Sequence, residues 1–233
     1  MSAQKFIPAA TIIPIYEGEN GLEVLMVKRN ENLRFAGGQH AFAGGKIDAK
    51  DFEFANGDEL KAAKIAAFRE MYEETNIAFD NNGKLSSSID IKNSFYDYTS
   101  EIGNNFDLSK AKPLSRWRPP PEIPIKFDTY FFFIKSHDRI IPKVDGDEIV
   151  DAAWLNVNDA IEKYKSGAIK AFFPTIINLH LLAKMNSFDA LLEFANYKNP
   201  PIIQTQSEHI GTNTYQYIDI ALGYPLYHAS HLN

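Results

Sequence analysis

The stretch Asp58–Ile77 reads DELKAAKIAAFREMYEETNI and carries glutamates at positions 70, 73 and 74. On a helix, positions i, i+3 and i+4 share one face, so these three carboxylates lie side by side. Like charges at this spacing destabilise an isolated helix by a few tenths of a kcal/mol per pair. A divalent cation among the oxygens would turn this repulsion into attraction. On these residues alone, the alternative is a solvated acidic helix face.

The opposite face of the same helix is apolar. Its apolar residues recur at helical spacing, which predicts a buried face packed against a large surface; they are Leu60, Ala63, Ala67, Phe68 and Met71. Asp58 suits the N-cap position, and Asn76 suits the left-handed position that ends a helix. A helix with a buried face and crowded carboxylates on the other favours the metal site.

The sequence REMYEE at residues 69–74, with a glycine upstream and Ile77 downstream, resembles the Nudix box. This box is a signature of hydrolases that cleave a diphosphate linked to another moiety. The resemblance implies that Arg69 braces the loop before the helix. It also implies a site for Mg²⁺, with Mn²⁺ as the alternative cation, formed by Glu70, Glu73, Glu74 and the carbonyl of Gly45.

The chain departs from the family pattern around this helix. The spacing before it is longer than in the short form of the box, and Asn76 replaces a glycine, which its left-handed tendency makes mild. Lys61 stands where an acidic residue usually pairs with Arg69. We therefore expect either Glu59 or Asp48 to take over as the carboxylate partner of Arg69.

A second informative segment, LMVKRNENLRFAGGQHAFAGGKID, spans residues 25–48. The segment contains two arginines and several glycines. A guanidinium group can donate two hydrogen bonds to phosphate oxygens, and glycines let the backbone approach a ligand closely. The spacing resembles an extra signature of coenzyme A diphosphatases within the Nudix family. The alternative is that the arginines are ordinary surface charges. The substrate-binding residues that this resemblance implies are Arg29, Arg34, Gly38 and Gly44.

An acidic turn, Asp145-Gly-Asp147-Glu148, precedes a predicted strand at Ile149–Leu155. In the family resemblance, an acidic residue at this place completes the metal site or acts as a base. We assign that role to Glu148, against the alternative of a simple acidic turn. Glu70 and Glu148 are the two candidates for the general base.

Upstream of this turn, an Arg-Trp-x-x-Pro run followed by the aromatic strand Ile125–Lys135 is similar to the same coenzyme A branch. Trp117 lies beside three prolines. We predict that its ring packs in the core rather than stacking on an adenine base.

Composition sets the remaining limits. The chain has 233 residues, 45% of them hydrophobic, which suffices for a sizeable core. A net charge of −6 argues against non-specific nucleic-acid binding, and no apolar run is long enough to span a membrane. The absence of cysteine excludes disulfides and thiol catalysis and fits a cytoplasmic protein.

We expect one α/β domain over residues 1–233, an α/β/α sandwich of the Nudix type with a mixed sheet. Strands at Ala9–Tyr16 and Leu22–Arg29 should form a hairpin around an Asn-Gly turn. An inserted subregion over about 79–112, with a helix near Ser88–Glu101, should cover the site. A C-terminal helical extension over about 168–233 should begin with an amphipathic helix. This helix should pack either against the main domain or against a second subunit, and in the second case the protein would be a homodimer.

The function expected from this resemblance is Mg²⁺-dependent cleavage of coenzyme A or acyl-coenzyme A. The products would be 3′,5′-ADP and the corresponding 4′-phosphopantetheine. Two alternatives remain open. One is hydrolysis of another nucleoside diphosphate compound, such as a nucleotide sugar or dinucleotide, and the other is a non-catalytic Nudix domain that senses a nucleotide.

Overall fold

The computed structural model describes residues 6–87, 94–196, 199–210, 213–219, 222–224 and 229–230. The strands are β1 (Ile7–Gly18), β2 (Gly21–Arg29), β3 (Gln39–Ala41), β4 (Gly44–Lys46), β5 (Ala78–Phe79), β6 (Leu85–Ser86), β7 (Lys112–Arg118), β8 (Phe127–Ser136), β9 (Ile149–Asn156), β10 (Lys170–Ala171), β11 (Ile202–Gln204), β12 (Gln206–Ile210), β13 (Asn213–Tyr217) and β14 (Ala229–Ser230). The α-helices are α1 (Ala49–Phe54), α2 (Glu59–Thr75), α3 (Phe95–Ile102), α4 (Val157–Lys165), α5 (Phe173–Met185) and α6 (Phe188–Phe194).

The main sheet is mixed and has the order β10-β3-β2-β1-β8-β7-β11, with β4 paired to β1 and β9 paired to β2. The β1–β2 hairpin is antiparallel, as the Asn-Gly turn predicts, whereas β1 runs parallel to β8. β4 pairs with the first half of β1, with Gly45 opposite Ala10. This short strand is what brings the glycine pair to the middle of the fold.

Helices cover both faces of the sheet. One apolar cluster joins α1, α2 and α3 to the sheet, and a second joins α4, α5 and α6 to the opposite face. β1 contributes Ile12 to the first cluster and Ile13 to the second, because successive side chains of a strand point to opposite faces. The predicted α/β/α layering is therefore confirmed.

α2 has the predicted ends. The Asp58 side chain accepts a hydrogen bond from the Lys61 amide, and Asn76 ends the helix in the left-handed conformation at φ 55°. The side chains of Phe68 and Met71 are buried beneath it. The predicted strand after the acidic turn corresponds to β9.

The predicted helix near Ser88–Glu101 is α3, which begins later; residues 88–93 lie outside the described part of the chain. The prediction of Trp117 as a packing residue is confirmed. Its indole is buried against Phe131, Phe173 and Tyr224 in edge-on ring contacts.

The prediction of a helical extension over about 168–233 is wrong beyond α6. The first helix, α5, packs against the sheet, but the chain then forms β11, β12 and β13 within the described residues. β11 adds to the open edge of β7, with Ile203 paired to Trp117 and fully buried. An uncovered sheet edge offers unpaired backbone groups, so a β-branched segment is well placed there as a strand.

Within the described residues, none of the helices combines the length and apolar character needed to cross a membrane.

Candidate active site

The glycine pair of β4 lies directly against the carboxylates of α2. A Cβ atom placed on Gly45 would stand 2.5 Å from the nearer carboxylate oxygen of Glu70, so any larger residue would displace that side chain. The amide of Gly44 donates a hydrogen bond to Glu74 Oε2 at 3.1 Å. The backbone of β4 and two carboxylates of the helix thus share one small space, as the resemblance implies for Gly45.

Negative charge accumulates in this space. Burial, followed by the charge of Glu70, raises the pKa of Glu74 to about 8, even though the Gly44 amide and Arg29 lower it. Burial also raises the pKa of Glu70, against the lowering effect of Arg69. Glu148 contributes to the upward shift of both. Arg69 and Arg29 offset these upward shifts only in part, and a bound cation would stabilise the charged carboxylates further.

Arg69 is the residue that holds the site together. Its guanidinium contacts Asp51 through Nε at 3.2 Å and through Nη2 at 3.1 Å, and Nη2 also donates to the carbonyl of Lys46 at 2.9 Å. On its other side, Nη1 donates to Glu70 at 2.8 Å and to Glu73 at 3.0 Å. Arg69 therefore links the loop before α2 to two of the three glutamates, in agreement with its predicted bracing role.

The principal carboxylate partner of Arg69 is Asp51, at 3.1 Å. Of the two predicted partners, Asp48 forms only a longer ion pair with Arg69, and the prediction of Glu59 is wrong. Asp48 lies at 3.7 Å from Nη2 and is largely exposed, whereas Asp51 is completely buried. Glu59 instead pairs with Arg116 at 2.9 Å. A fully buried carboxylate forms the stronger ion pair because the guanidinium fork can contact both of its oxygens away from water.

Two further donors fix the Asp51 carboxylate. The Asp48 amide donates to its Oδ2 at 2.8 Å, closing a capping box at the start of α1. The hydroxyl of Tyr96, on α3, donates to its Oδ1 at 2.8 Å. Helix α3 of the inserted subregion is therefore connected to α2 through Asp51 and Arg69.

We expect Tyr96→Phe to lower the free energy of unfolding by about 1.5–3 kcal/mol, because a buried hydrogen bond to a charged group is lost. Tyr98→Phe is the matched control on the same helix, since its hydroxyl donates to the neutral carbonyl of Phe79. We expect that control to cost about 0.5–1.5 kcal/mol. Urea titration of the two variants measures both values, and an equal loss would contradict the special role of Tyr96.

Glu148 lies close to Arg29 on the other side of the carboxylates. Arg29 Nη2 and Glu148 Oε1 are 2.9 Å apart, and Glu148 is 55% exposed. The Asn30 amide donates to the Glu148 carbonyl at 2.9 Å, while the side chain of Asp145 accepts the Glu148 amide. These contacts fix the acidic turn against the end of β2 and bring together two residues that lie far apart in the sequence.

Arg29 also has an unused donor. Its Nε is buried and has no hydrogen-bond partner among the described residues. Gly38, with φ 71°, donates its amide to the Arg29 carbonyl at 3.1 Å and so closes the loop that carries Arg34. Arg34 itself is exposed. Direct contact of Gly38, Gly44 and Arg34 with a substrate stays a prediction.

The donor set fits a hard divalent cation, because it consists of carboxylate oxygens beside a backbone carbonyl. As they stand, however, the side chains are turned toward protein partners. Within the described residues, no group of three or more His, Asp or Glu side chains is arranged as a metal centre. Arg69 donates hydrogen bonds to Glu70 and Glu73, and Glu74 accepts one from the Gly44 amide. The chemistry of the set fits a cation, although the glutamate oxygens are hydrogen-bonded to Arg69 and Gly44.

Comparison with known proteins shows the family of the chain. The family model described as NUDIX domain matches residues 5–175. A Caenorhabditis elegans protein named "Putative nudix hydrolase 7" is 26% identical over 211 residues, which cover 84% of this chain and 70% of that protein. The crystal structure of a NUDIX hydrolase from Alicyclobacillus acidocaldarius superposes with a TM-score of 0.65 at 27% identity, covering 82% of this chain and 97% of that one. The family model covers β1 to β10, which include the glycine pair, together with α2. The chain therefore belongs to the NUDIX domain family and is a Nudix pyrophosphohydrolase.

Proposed function

We propose that the substrate is coenzyme A or an acyl-coenzyme A, cleaved at its diphosphate to 3′,5′-ADP and 4′-phosphopantetheine. The observation that carries this proposal is Arg29, whose buried Nε lacks an acceptor beside the crowded carboxylates. A buried unpaired donor is costly unless a ligand uses it, and a guanidinium suits phosphate oxygens. The arginine spacing that resembles coenzyme A diphosphatases adds support for this substrate.

The residues proposed to hold the metal are Glu70, Glu73, Glu74 and the carbonyl of Gly45. A bound Mg²⁺, or Mn²⁺ in its place, would neutralise charge on the diphosphate and lower the pKa of a bound water. Arg69 keeps Glu70 and Glu73 near β4, and so prepares the ligand set before the cation arrives.

Glu148 is the proposed general base, with Glu70 as the alternative. Glu148 is well exposed, whereas Arg69 holds the Glu70 side chain at 2.8 Å. Arg29 now contacts Glu148, and a substrate phosphate would compete for the same guanidinium. Binding of the substrate would then release the Glu148 carboxylate, which could accept the proton of the attacking water.

The direct test is to incubate the purified protein with coenzyme A and Mg²⁺ and to follow both products by chromatography. A panel of nucleotide sugars and dinucleotides is assayed in parallel. Release of 3′,5′-ADP and 4′-phosphopantetheine from coenzyme A in preference to the panel supports the proposal. Cleavage only of another compound would refute the substrate but not the chemistry, and metal-dependent thermal stabilisation without any turnover would favour a nucleotide sensor.

Replacing Arg34 with Gln should raise KM for coenzyme A by about tenfold or more and leave kcat nearly unchanged. The reason is that a charge-assisted contact to phosphate contributes about 1.5–3 kcal/mol, and 1.4 kcal/mol is a factor of ten. Arg34→Lys keeps the charge without the fork and should recover part of the affinity. Initial-rate kinetics measures the effect, and an unchanged KM would remove Arg34 from the substrate site.

A further inference from the structure

A pocket of about 290 Å³ lies at the end of the main sheet. It is built where the inserted subregion meets the C-terminal part of the chain: Lys84 comes from the β5–β6 hairpin, Lys110 and Lys112 from the end of the inserted subregion, Lys135 from the end of β8, and Leu192 from α6. α6 lies beyond the residues that the family model matches.

The pocket is distinct from the active site. In the register of the main sheet, Ala10 of β1 pairs with Gly45 on one side and with Tyr130 of β8 on the other. Lys135 is five positions further along β8 than Tyr130, which at about 3.3 Å per residue is roughly 17 Å. The pocket also lies on the β7 side of β1, whereas β4 lies on the opposite side.

The charge of the lining is one-sided. Four lysines and His137 line the pocket, and none of its described lining residues is acidic. This contrasts with a chain whose net charge is −6. Two acidic residues lie near these lysines but do not line the pocket. Glu17 is 3.5 Å from Lys135. Hydrogen bonds from Ser109, and to a smaller extent the charges of Lys110 and Lys112, lower the pKa of Asp107. Lys84 and Lys112 are exposed at the pocket.

The floor of the pocket is apolar and aromatic. Phe79, Ile134 and Phe188 contribute to it and are buried. The ammonium of Lys110 lies 5.1 Å from the centre of the Phe79 ring, and that of Lys135 lies 5.2 Å from the centre of the Phe188 ring. The ammonium groups are thus positioned beside the apolar surface, where a ligand with both characters could contact both.

We propose that this pocket binds a small organic phosphate at a site separate from the active site. The lysines contact the phosphate, and an apolar group of the ligand lies against the phenylalanine rings. Several ammonium groups around one site match a dianion better than a monoanion, and lysine is a common phosphate ligand. The volume is near the lower end of small-molecule pockets, about 300–1,000 Å³, so the ligand is compact.

The test is calorimetric titration in the presence of EDTA with three probes: phenyl phosphate, inorganic phosphate and benzoate. We expect phenyl phosphate to bind more tightly than the other two, because it alone combines a dianion with an aromatic group. Tight binding of benzoate would refute the phosphate, and absence of phenyl phosphate binding would refute the site.

The double variant Lys84→Gln/Lys112→Gln locates the binding, since both lysines are exposed and their replacement should leave the fold intact. We expect phenyl phosphate affinity to fall by about ten- to a hundredfold, whereas hydrolysis at the distant active site stays unchanged. Lys163→Gln/Lys170→Gln changes the net charge equally at exposed positions outside the pocket and serves as the control. Equal losses in both double variants, or no loss in the first, would overturn the proposal.

Discussion

Replacing Glu73 with Gln is expected to reduce diphosphate hydrolysis by about a hundredfold to a thousandfold or more. The change preserves the size of the side chain but removes a charged oxygen from the proposed ligand set, and charge stabilisation of this kind typically contributes that much. The fold should persist, because Glu73 is 49% exposed and the buried Arg69 keeps its ion pairs with Asp51 and Glu70. Initial rates at saturating substrate and Mg²⁺, together with thermal melts, measure both expectations.

Glu162→Gln is the matched control for this prediction. Glu162 is also an exposed helical glutamate in an ion pair, 2.7 Å from Lys165, but it lies on α4, on the opposite face of the sheet. Its replacement should leave turnover and melting temperature nearly unchanged. If the Glu73 variant retained full activity in excess Mg²⁺, the assignment of the α2 glutamates as metal ligands would be wrong.

Helix α2 could be predicted from the sequence, because the residues that define its ends and its acidic face lie close together in the chain. The N-cap at Asp58, the left-handed end at Asn76 and the spacing of the glutamates all lie within twenty residues. The β1–β2 hairpin was predictable for the same reason, since the turn residues select the connection. The family resemblance placed Gly45 near these carboxylates, and the position of the glycine against Glu70 agrees with it.

The partner of Arg69 could not be found in this way. Asp51 lies in the polar stretch between β4 and α2, where a charged side chain is usually exposed, yet it is completely buried. Its position depends on α1 and on Tyr96, 45 residues away. The same limitation explains the C-terminal strands, because β11 forms only where β7 leaves an edge to be paired. One signal in the sequence was usable. Lys61 stands where the family pattern has an acidic partner for Arg69, which indicates that another carboxylate takes that role.

Replacing Asp51 with Ala should lower the free energy of unfolding by about 3–5 kcal/mol, the usual cost of removing one partner from a buried ion pair. At about 2–4 °C per kcal/mol for a chain of this size, the melting temperature should fall by about 6–20 °C. Activity at a temperature where the variant is folded should also decline, because Arg69 loses the anchor that positions it toward Glu70 and Glu73. Thermal melts and initial rates on the folded variant measure the two effects separately.

Asp128→Ala separates stability from positioning, because Asp128 is also a buried aspartate in ion pairs, with Arg116 at 2.7 Å and Arg118 at 2.8 Å. Both variants should lose stability, since each removes a buried carboxylate from a network of arginine ion pairs. Only the Asp51 variant should lose activity per folded molecule, as Asp128 has no contact with Arg69 in the described network. Equal activity in the two variants would mean that Asp51 supports the fold alone, and that the three glutamates keep their places without it.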